Sequence, residues 1–422
     1  MRKRWVVMGW ALAILAGGCR DKTTSAPAPS SSTLASAPVV QAGASSAPTP
    51  HADDCSAPLD YLVEPAKYGD ADLFRAIVAD STHVYFRNMR QVFRVPLAGG
   101  KAEVISDAPG LTLSGKTVLF ESGDRLLTQS SNEPIFMASP KSGGPWQDII
   151  NLSPKKVGGG RDAATRLLQG LGSAPVPRSS QAAFDGSAFY WADNTMSRGL
   201  NVSSSATLRS VPLSGGEAKE LFKAQGEIGE VHRAGSRVVF VHTAPLTPQQ
   251  IKSETERRKS KKLTGGERGE QRLMSVPVAG GEAKELAKIS SFIANLVLGT
   301  DGTDVYVSGY PNGDFNKPGV YRLNAEGGAL EAVDQRSVHG QAFSVGNRVI
   351  IVGSSQLEPG PGNVRRGQVV LALDRGAKSA TRIACIADGY TAHAFAVAGD
   401  HLLISLFKGD TNLASIARIA LH

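Results

Sequence analysis

From Cys55 to the end of the chain, short apolar runs alternate with polar, glycine-bearing turns, and sustained helical periodicity is scarce. Short runs bounded by turn residues and rich in Val, Ile, Phe and Tyr read as strands. Seven of them recur in matching surroundings: Val84-Tyr85-Phe86, Val118-Leu119-Phe120, Phe189-Tyr190-Trp191, Val238-Val239-Phe240, Val305-Tyr306-Val307, Val349-Ile350-Ile351 and Leu402-Leu403-Ile404. Each follows a strand ending in an Ala-Asp-Ser-Thr, Asp-Gly or similar turn. A third strand runs into a shared phrase, Val95-Pro96-Leu97-Ala98-Gly99-Gly100, Val211-Pro212-Leu213-Ser214-Gly215-Gly216 and Val276-Pro277-Val278-Ala279-Gly280-Gly281, with looser copies at 138–144 and 323–328. Glycine supplies the positive φ that tight hairpin turns need, so the phrase marks the turn into a fourth strand.

A four-strand unit repeated every 40–50 residues or so is the signature of blades around an axis. Seven units across the 368 residues 55–422 give about 50 residues per blade. The expectation is an all-β, seven-bladed β-propeller; six or eight blades are the alternatives. The seventh unit, from Phe395 to His422, has three strands and no fourth. The segment Leu59-Asp60-Tyr61-Leu62-Val63-Glu64 belongs to no other unit, so it is expected to close the last blade and leave no long edge unpaired.

The first 54 residues do not fit this pattern. Arg2-Lys3-Arg4 precedes eleven apolar residues, Trp5 to Leu15, too few to span a bilayer and suited to a signal peptide. The run ends at Leu15-Ala16-Gly17-Gly18-Cys19, which resembles the bacterial lipoprotein signal, although Ala16 stands where that family prefers Leu. The resemblance implies removal of residues 1–18 and lipidation of Cys19; an ordinary cleaved signal is the other reading. Arg20 follows, not the Asp that favours inner-membrane retention in enteric bacteria, so an outer-membrane location is expected. Residues 19–54 carry the anchor and then Ala, Ser, Pro and Thr, a composition too poor in large apolar groups to fold. Such a tether reaches roughly 30–35 Å, and the propeller is assigned to 55–422.

Charge narrows the partners. Without residues 1–18 the 46 basic side chains fall to 43 against 38 acidic, a net charge of +5. That is mild for a chain of this size and, with export, argues against nucleic acid. Cys55 and Cys385 fall near the closing strand and in the fourth strand of blade six; in an oxidising compartment they are candidates for a disulfide, or else two buried thiols.

With the strands lettered A to D from the axis outward, the A–B and C–D turns share one face of the disc and the B–C and D–A connections share the other. Every long insertion falls on the second face: Asp193 to Thr207, Thr243 to Gln271, Tyr310 to Gly319, Ser354 to Gly367, and Ser153 to Ser179. Loops on a rigid scaffold are where binding concentrates, so this face is the candidate surface. The blade-four insertion predicts a short helix with Thr247 as N-cap and Pro248 as first residue, an i,i+4 pair at Glu254 and Arg258, and then the basic run Arg257, Arg258, Lys259, Lys261 and Lys262. That run is either a solvated loop or a contact for an anionic glycan, a lipid headgroup or an acidic envelope protein. A second short helix is predicted around Arg161 to Leu168.

Phe189-Tyr190-Trp191-Ala192-Asp193 resembles the strand that names the YWTD propellers, with Ala192 in place of Thr. The architecture as a whole is similar to the YWTD and Tol-type periplasmic propellers. This marks Trp191 and Asp193 as binding-face candidates. His339 and His393, near the starts of adjacent A strands, are candidates at the channel mouth, whereas His232 falls deeper. Two imidazoles with no third ligand at a fixed spacing do not define a metal site. No metal-protease, nucleophile-elbow or EF-hand motif is present. The expectation is therefore a monomeric, non-enzymatic binding or scaffolding module without cofactor, metal or catalytic residue, held to the membrane by its lipid alone. The alternative is a lyase- or hydrolase-type propeller acting on envelope glycan or a small substrate at the channel mouth.

Overall fold

The structure is a computed structural model describing residues 59–68, 74–108, 118–129, 134–152, 176–179, 182–197, 202–259, 269–290, 297–311, 317–335, 338–356, 366–386, 390–409 and 411–421, all within one compact unit. It is a ring of seven antiparallel four-stranded blades. Blade one is β2 (Ala76–Ala79), β3 (His83–Arg87), β4 (Gln91–Pro96) and β5 (Glu103–Asp107), and blade two is β6 (Phe120–Ser122), β7 (Arg125–Gln129), β8 (Ile135–Pro140) and β9 (Gln147–Asn151). Blade three is β11 (Ala183–Phe184), β12 (Ala188–Ser197), β13 (Val202–Pro212) and β14 (Lys219–Ala224), with β10 (Val176–Ser179) added to the far end of β12. Blade four is β15 (Glu227–Ala234), β16 (Arg237–Thr243), β17 (Gln271–Pro277) and β18 (Lys284–Ser290); blade five is β19 (Val297–Thr300), β20 (Asp304–Pro311), β21 (Gly319–Asn324) and β22 (Glu331–Asp334). Blade six is β23 (His339–Val345), β24 (Arg348–Gln356), β25 (Arg366–Asp374) and β26 (Thr381–Ile386).

Blade seven closes the ring. Its sheet order is β27 (Tyr390–Ala398), β28 (His401–Lys408), β29 (Leu413–Ala420) and then β1 (Asp60–Ala66). The orphan N-terminal run is the missing outer strand, with Asp60 opposite Arg418 and Tyr61 opposite Ala417. Arg418 grips the Asp60 carboxylate through Nε and Nη2, both at 3.0 Å, and donates from Nη1 to the Leu97 carbonyl of blade one at 3.3 Å. One side chain thus ties the closing strand, the last blade and the first.

Seven apolar clusters hold the blades, each filling the gap between two neighbouring sheets. The gap between blades seven and one, for example, packs Ala394, Ala396 and Leu403 against Ile77, Phe86 and Val95. The Gly-Gly turns are where the repeats placed them: Gly99 and Gly100, Gly143 and Gly144, Gly215 and Gly216, Gly280 and Gly281, and Gly327 and Gly328 all have positive φ.

Blade two departs from the expectation. Val118-Leu119-Phe120 leads into the innermost strand, β6, not the second. The second strand is β7, reached through the Gly123-Asp124 turn, where Gly123 takes φ 59°. A glycine first in a two-residue hairpin is the type II′ signature, and it outweighs the likeness of the apolar triplet to its counterparts. Two insertions are also hairpin arms. β12 and β13 stay paired out to Ser197 and Val202, and β24 and β25 to Gln356 and Arg366. The predicted helix around Arg161 to Leu168 lies outside the described residues.

Candidate functional site

The A–B and C–D turns are short and tied down. In blades one, three and five an Asp caps the A–B turn. Asp80 accepts from the backbone N–H groups of Thr82 and His83 at 2.8 and 2.9 Å, and Asp185 from those of Ser187 and Ala188, both at 2.9 Å. Asp301 does the same with Thr303 and Asp304. In each case the Tyr five residues on, Tyr85, Tyr190 or Tyr306, donates its hydroxyl to the second carboxylate oxygen. The next blade supplies a cation: Lys141 to Asp80 at 2.8 Å, Arg233 to Asp185 at 3.0 Å, and Arg375 to the Asp301 carbonyl. On this face the turns of blades one and two, three and four, and five and six are thus tied to each other.

The opposite face carries the long connections. The helix α1 (Pro248–Lys259) rises there from blade four. Thr247 caps it, accepting from the Gln250 N–H at 3.3 Å while the Gln250 amide oxygen accepts from the Thr247 N–H at 2.9 Å, the reciprocal capping box. The backbones of Arg257, Arg258 and Lys259 form its last turn; Lys261 and Lys262 lie outside the described residues.

The channel opens between the innermost strands as a cavity of about 540 Å³. Its lining changes character along the axis. Arg75, Gln341 and His393 sit toward the starts of their strands, on the side of the long connections, whereas Phe120, Phe184, Phe343 and Phe395 lie nearer the A–B turns. Arg75 directly precedes β2 and donates its backbone N–H to the Arg87 carbonyl at 2.9 Å. Its guanidinium Nε is buried with no hydrogen-bond partner. Glu121, a carboxylate on the same wall, is already held by Lys141 at 2.7 Å. His393 keeps contact with solvent through the channel, and its ring meets the edge of Phe407 at 6.2 Å. Enclosure by the wall and the neighbouring Arg75 charge both push its pKa below the usual imidazole value.

The predicted residues fare differently. His393 lines the channel and His339 opens β23. Among the described residues no group of three or more His, Cys, Asp or Glu side chains is placed to hold a metal ion. Trp191 is not a face residue: it is fully buried between blades two and three, with its indole N–H donating to Asp193 at 3.0 Å. A large ring at the centre of a second strand packs into the neighbouring blade, since it has nowhere else to go. Asp193 is half-buried and paired with Arg209 at 3.1 Å. Cys385 is disulfide-bonded in β26, while Cys19 and Cys55 lie outside the described residues.

Sequence reasoning missed Arg75 and Gln341. The available signal was a charged or amide side chain within the first residues of an innermost strand, where apolar residues otherwise dominate. It also missed a set of buried polar side chains that join blades. Gln129 and Ser308 accept the backbone N–H groups of Ala182 and Val338, Asn194 both donates to and accepts from Ile228, and Ser405 donates to the Phe74 carbonyl. Each stands late in a second strand and satisfies the start of the next blade, as buried backbone groups require.

These features define the class: a seven-bladed β-propeller closed by its N-terminal strand. No protein-family model and no curated protein matches the chain. Solved structures match the fold. An oligogalacturonate lyase from Vibrio parahaemolyticus is 13% identical, with a TM-score of 0.53 over 86% of this chain and 97% of that one. An oligogalacturonate lyase in complex with manganese is 11% identical at the same TM-score and coverage. The β-propeller domain of the trilobed protease from Pyrococcus furiosus is 11% identical, with a TM-score of 0.50 over 84% and 98%. At such identities the likeness is one of fold, which hosts many functions.

Proposed function

We propose that this chain is a cell-envelope binding module, anchored to the outer membrane through a lipid on Cys19 and tethered by residues 20–54, that captures a partner on the face bearing its long connections. The observation that carries the reading is the asymmetry of the disc. One face is closed by capped turns and inter-blade ion pairs. The other extends the β12–β13 and β24–β25 arms and the helix α1 beyond the ring. Extensions that add nothing to the cores between blades and gather on one side are the usual form of a recognition surface on a rigid scaffold. The basic run at the end of α1 suits an envelope protein with an acidic patch or an anionic glycan or headgroup; with little apolar surface the helix is unsuited to membrane insertion. A bond between Cys55 and Cys385 would pin the closing strand to blade six.

Replacing residues 247–268 with a short Gly-Ser linker tests the reading. Because α1 lies outside the cores, the melting temperature is expected to stay within about 2 °C, a stability change of under ~1 kcal/mol. A crosslinked partner recovered from the native envelope is expected to be lost. An unchanged set of partners would remove this loop from the binding surface.

A further inference from the structure

The channel is a second, separate feature, and nothing in the arm-face reading accounts for it. Its wall holds Arg75, which no carboxylate among the described residues pairs. The buried Nε of Arg75 has no hydrogen-bond partner, and Glu121, the acid among the described lining residues, stands nearer the A–B turns and is committed to Lys141. A buried donor left unmade is costly and calls for an explanation in a folded chain; here the rest of the Arg75 side chain lines the cavity and is open to it. His393 adds a second donor at the same level of the channel. Below them the cavity turns apolar, with Phe184, Phe343 and Phe395 on its wall. A cavity of about 540 Å³ falls within the usual range for small-molecule sites.

From this geometry we infer that the channel binds a small amphipathic carboxylate, its head on Arg75 and His393 and its apolar body against the phenylalanines. A guanidinium presents parallel N–H groups that match the two oxygens of a carboxylate. A single guanidinium with a neutral imidazole balances one negative charge, which favours a carboxylate over a phosphate dianion. An apolar body is favoured because, among the described residues, the lower wall offers Phe120, Phe184, Phe343 and Phe395, and its acid, Glu121, is held by Lys141.

The probe is decanoate, kept well below its micelle threshold and followed by equilibrium dialysis against the purified full-length chain. One saturable site per chain is expected. Acetate, which has the head without the body, and decyltrimethylammonium, which has the body with the opposite charge, are expected not to compete. Arg75→Met is expected to weaken decanoate at least tenfold. Without ligand the same variant should melt no lower than the parent, since it removes an unsatisfied buried donor; a merely structural arginine would lower the melting temperature. Gln341→Glu is a second variant, which keeps the side-chain size on an exposed position of the wall and adds a negative charge; it too should weaken decanoate. No saturable binding, or undiminished binding by either variant, overturns the inference. The arm-face deletion should leave decanoate binding intact, so the two readings fail independently.

Discussion

Asp80 and Asp185 show how much a single side chain carries here. Burial alone would raise both carboxyl pKa values. Lys141 and the N–H and hydroxyl groups of the turn outweigh this at Asp80, and the Ser187 and Ala188 N–H groups with the Ser187 and Tyr190 hydroxyls do so at Asp185, so both are held well below the usual range. A depressed carboxyl pKa contributes stability that is present above the ordinary value near 3.8 and is lost as the pH falls toward the folded value. Asp185→Ala removes the turn cap, strands the Tyr190 hydroxyl and takes away the ion pair of Arg233, which keeps its bond to the Arg237 carbonyl. A loss of about 2–3 kcal/mol at neutral pH is expected from denaturant unfolding, with Tyr190→Phe costing about 1 kcal/mol. The difference between Asp185→Ala and the parent should shrink below pH 4 or so. His393 works in the opposite direction. Its lowered pKa means that below the usual 6.5 the unfolded chain takes the proton first, so stability falls with pH from there until the folded imidazole titrates. The charge acting on it is Arg75, Glu121 on the same wall being paired with Lys141. His393→Asn should flatten the melting temperature between pH 7 and pH 5; an unchanged slope would place the titration elsewhere.

At the level of elements, the strands were legible because each carries its own turn chemistry. The Gly-Gly phrase fixes the C–D turn by φ alone, and Thr247-Pro248 fixes the start of α1 by capping. Blade two was misassigned because an apolar triplet looks the same in a first or a second strand when both lie between two sheets. Only the Gly123-Asp124 turn distinguishes them. The Asp–Tyr pairs at Asp80 and Tyr85, Asp185 and Tyr190, and Asp301 and Tyr306 repeat at a spacing of five, a regularity that the sequence carries and that marks the capped A–B turns. The channel residues were less accessible. Arg75 and His393 lie far apart in the chain and meet only because blades one and seven become neighbours when the ring closes. Trp191 misled because a familiar local string says nothing about which side of a strand its ring will take.

Closure is therefore the event that makes both the fold and the channel. Six blades are each continuous in sequence, but the seventh exists only when β1 adds to β29. Until then the apolar gap between blades seven and one has no second wall, and Arg75 and His393 line nothing. The Arg418–Asp60 pair stands at that seam, part-buried and bidentate. Arg418→Ala should cost about 1–3 kcal/mol, more than an exposed ion pair, because the Leu97 carbonyl loses its donor as well. The loss should appear as faster unfolding if the seam is the last contact to form. A Cys55–Cys385 bond would work on the same seam from the other side, linking the start of the closing strand to blade six. In the chain-entropy view, closing a loop of about 330 residues is worth about 6 kcal/mol, and less if the bond is strained. Reduction should then lower the unfolding midpoint, and it should deepen the defect of Arg418→Ala beyond the sum of the two, since each restrains β1 when the other is gone. Two free thiols on unfolded, unreduced mature protein would show that the seam is held by the ion pair and the strand alone.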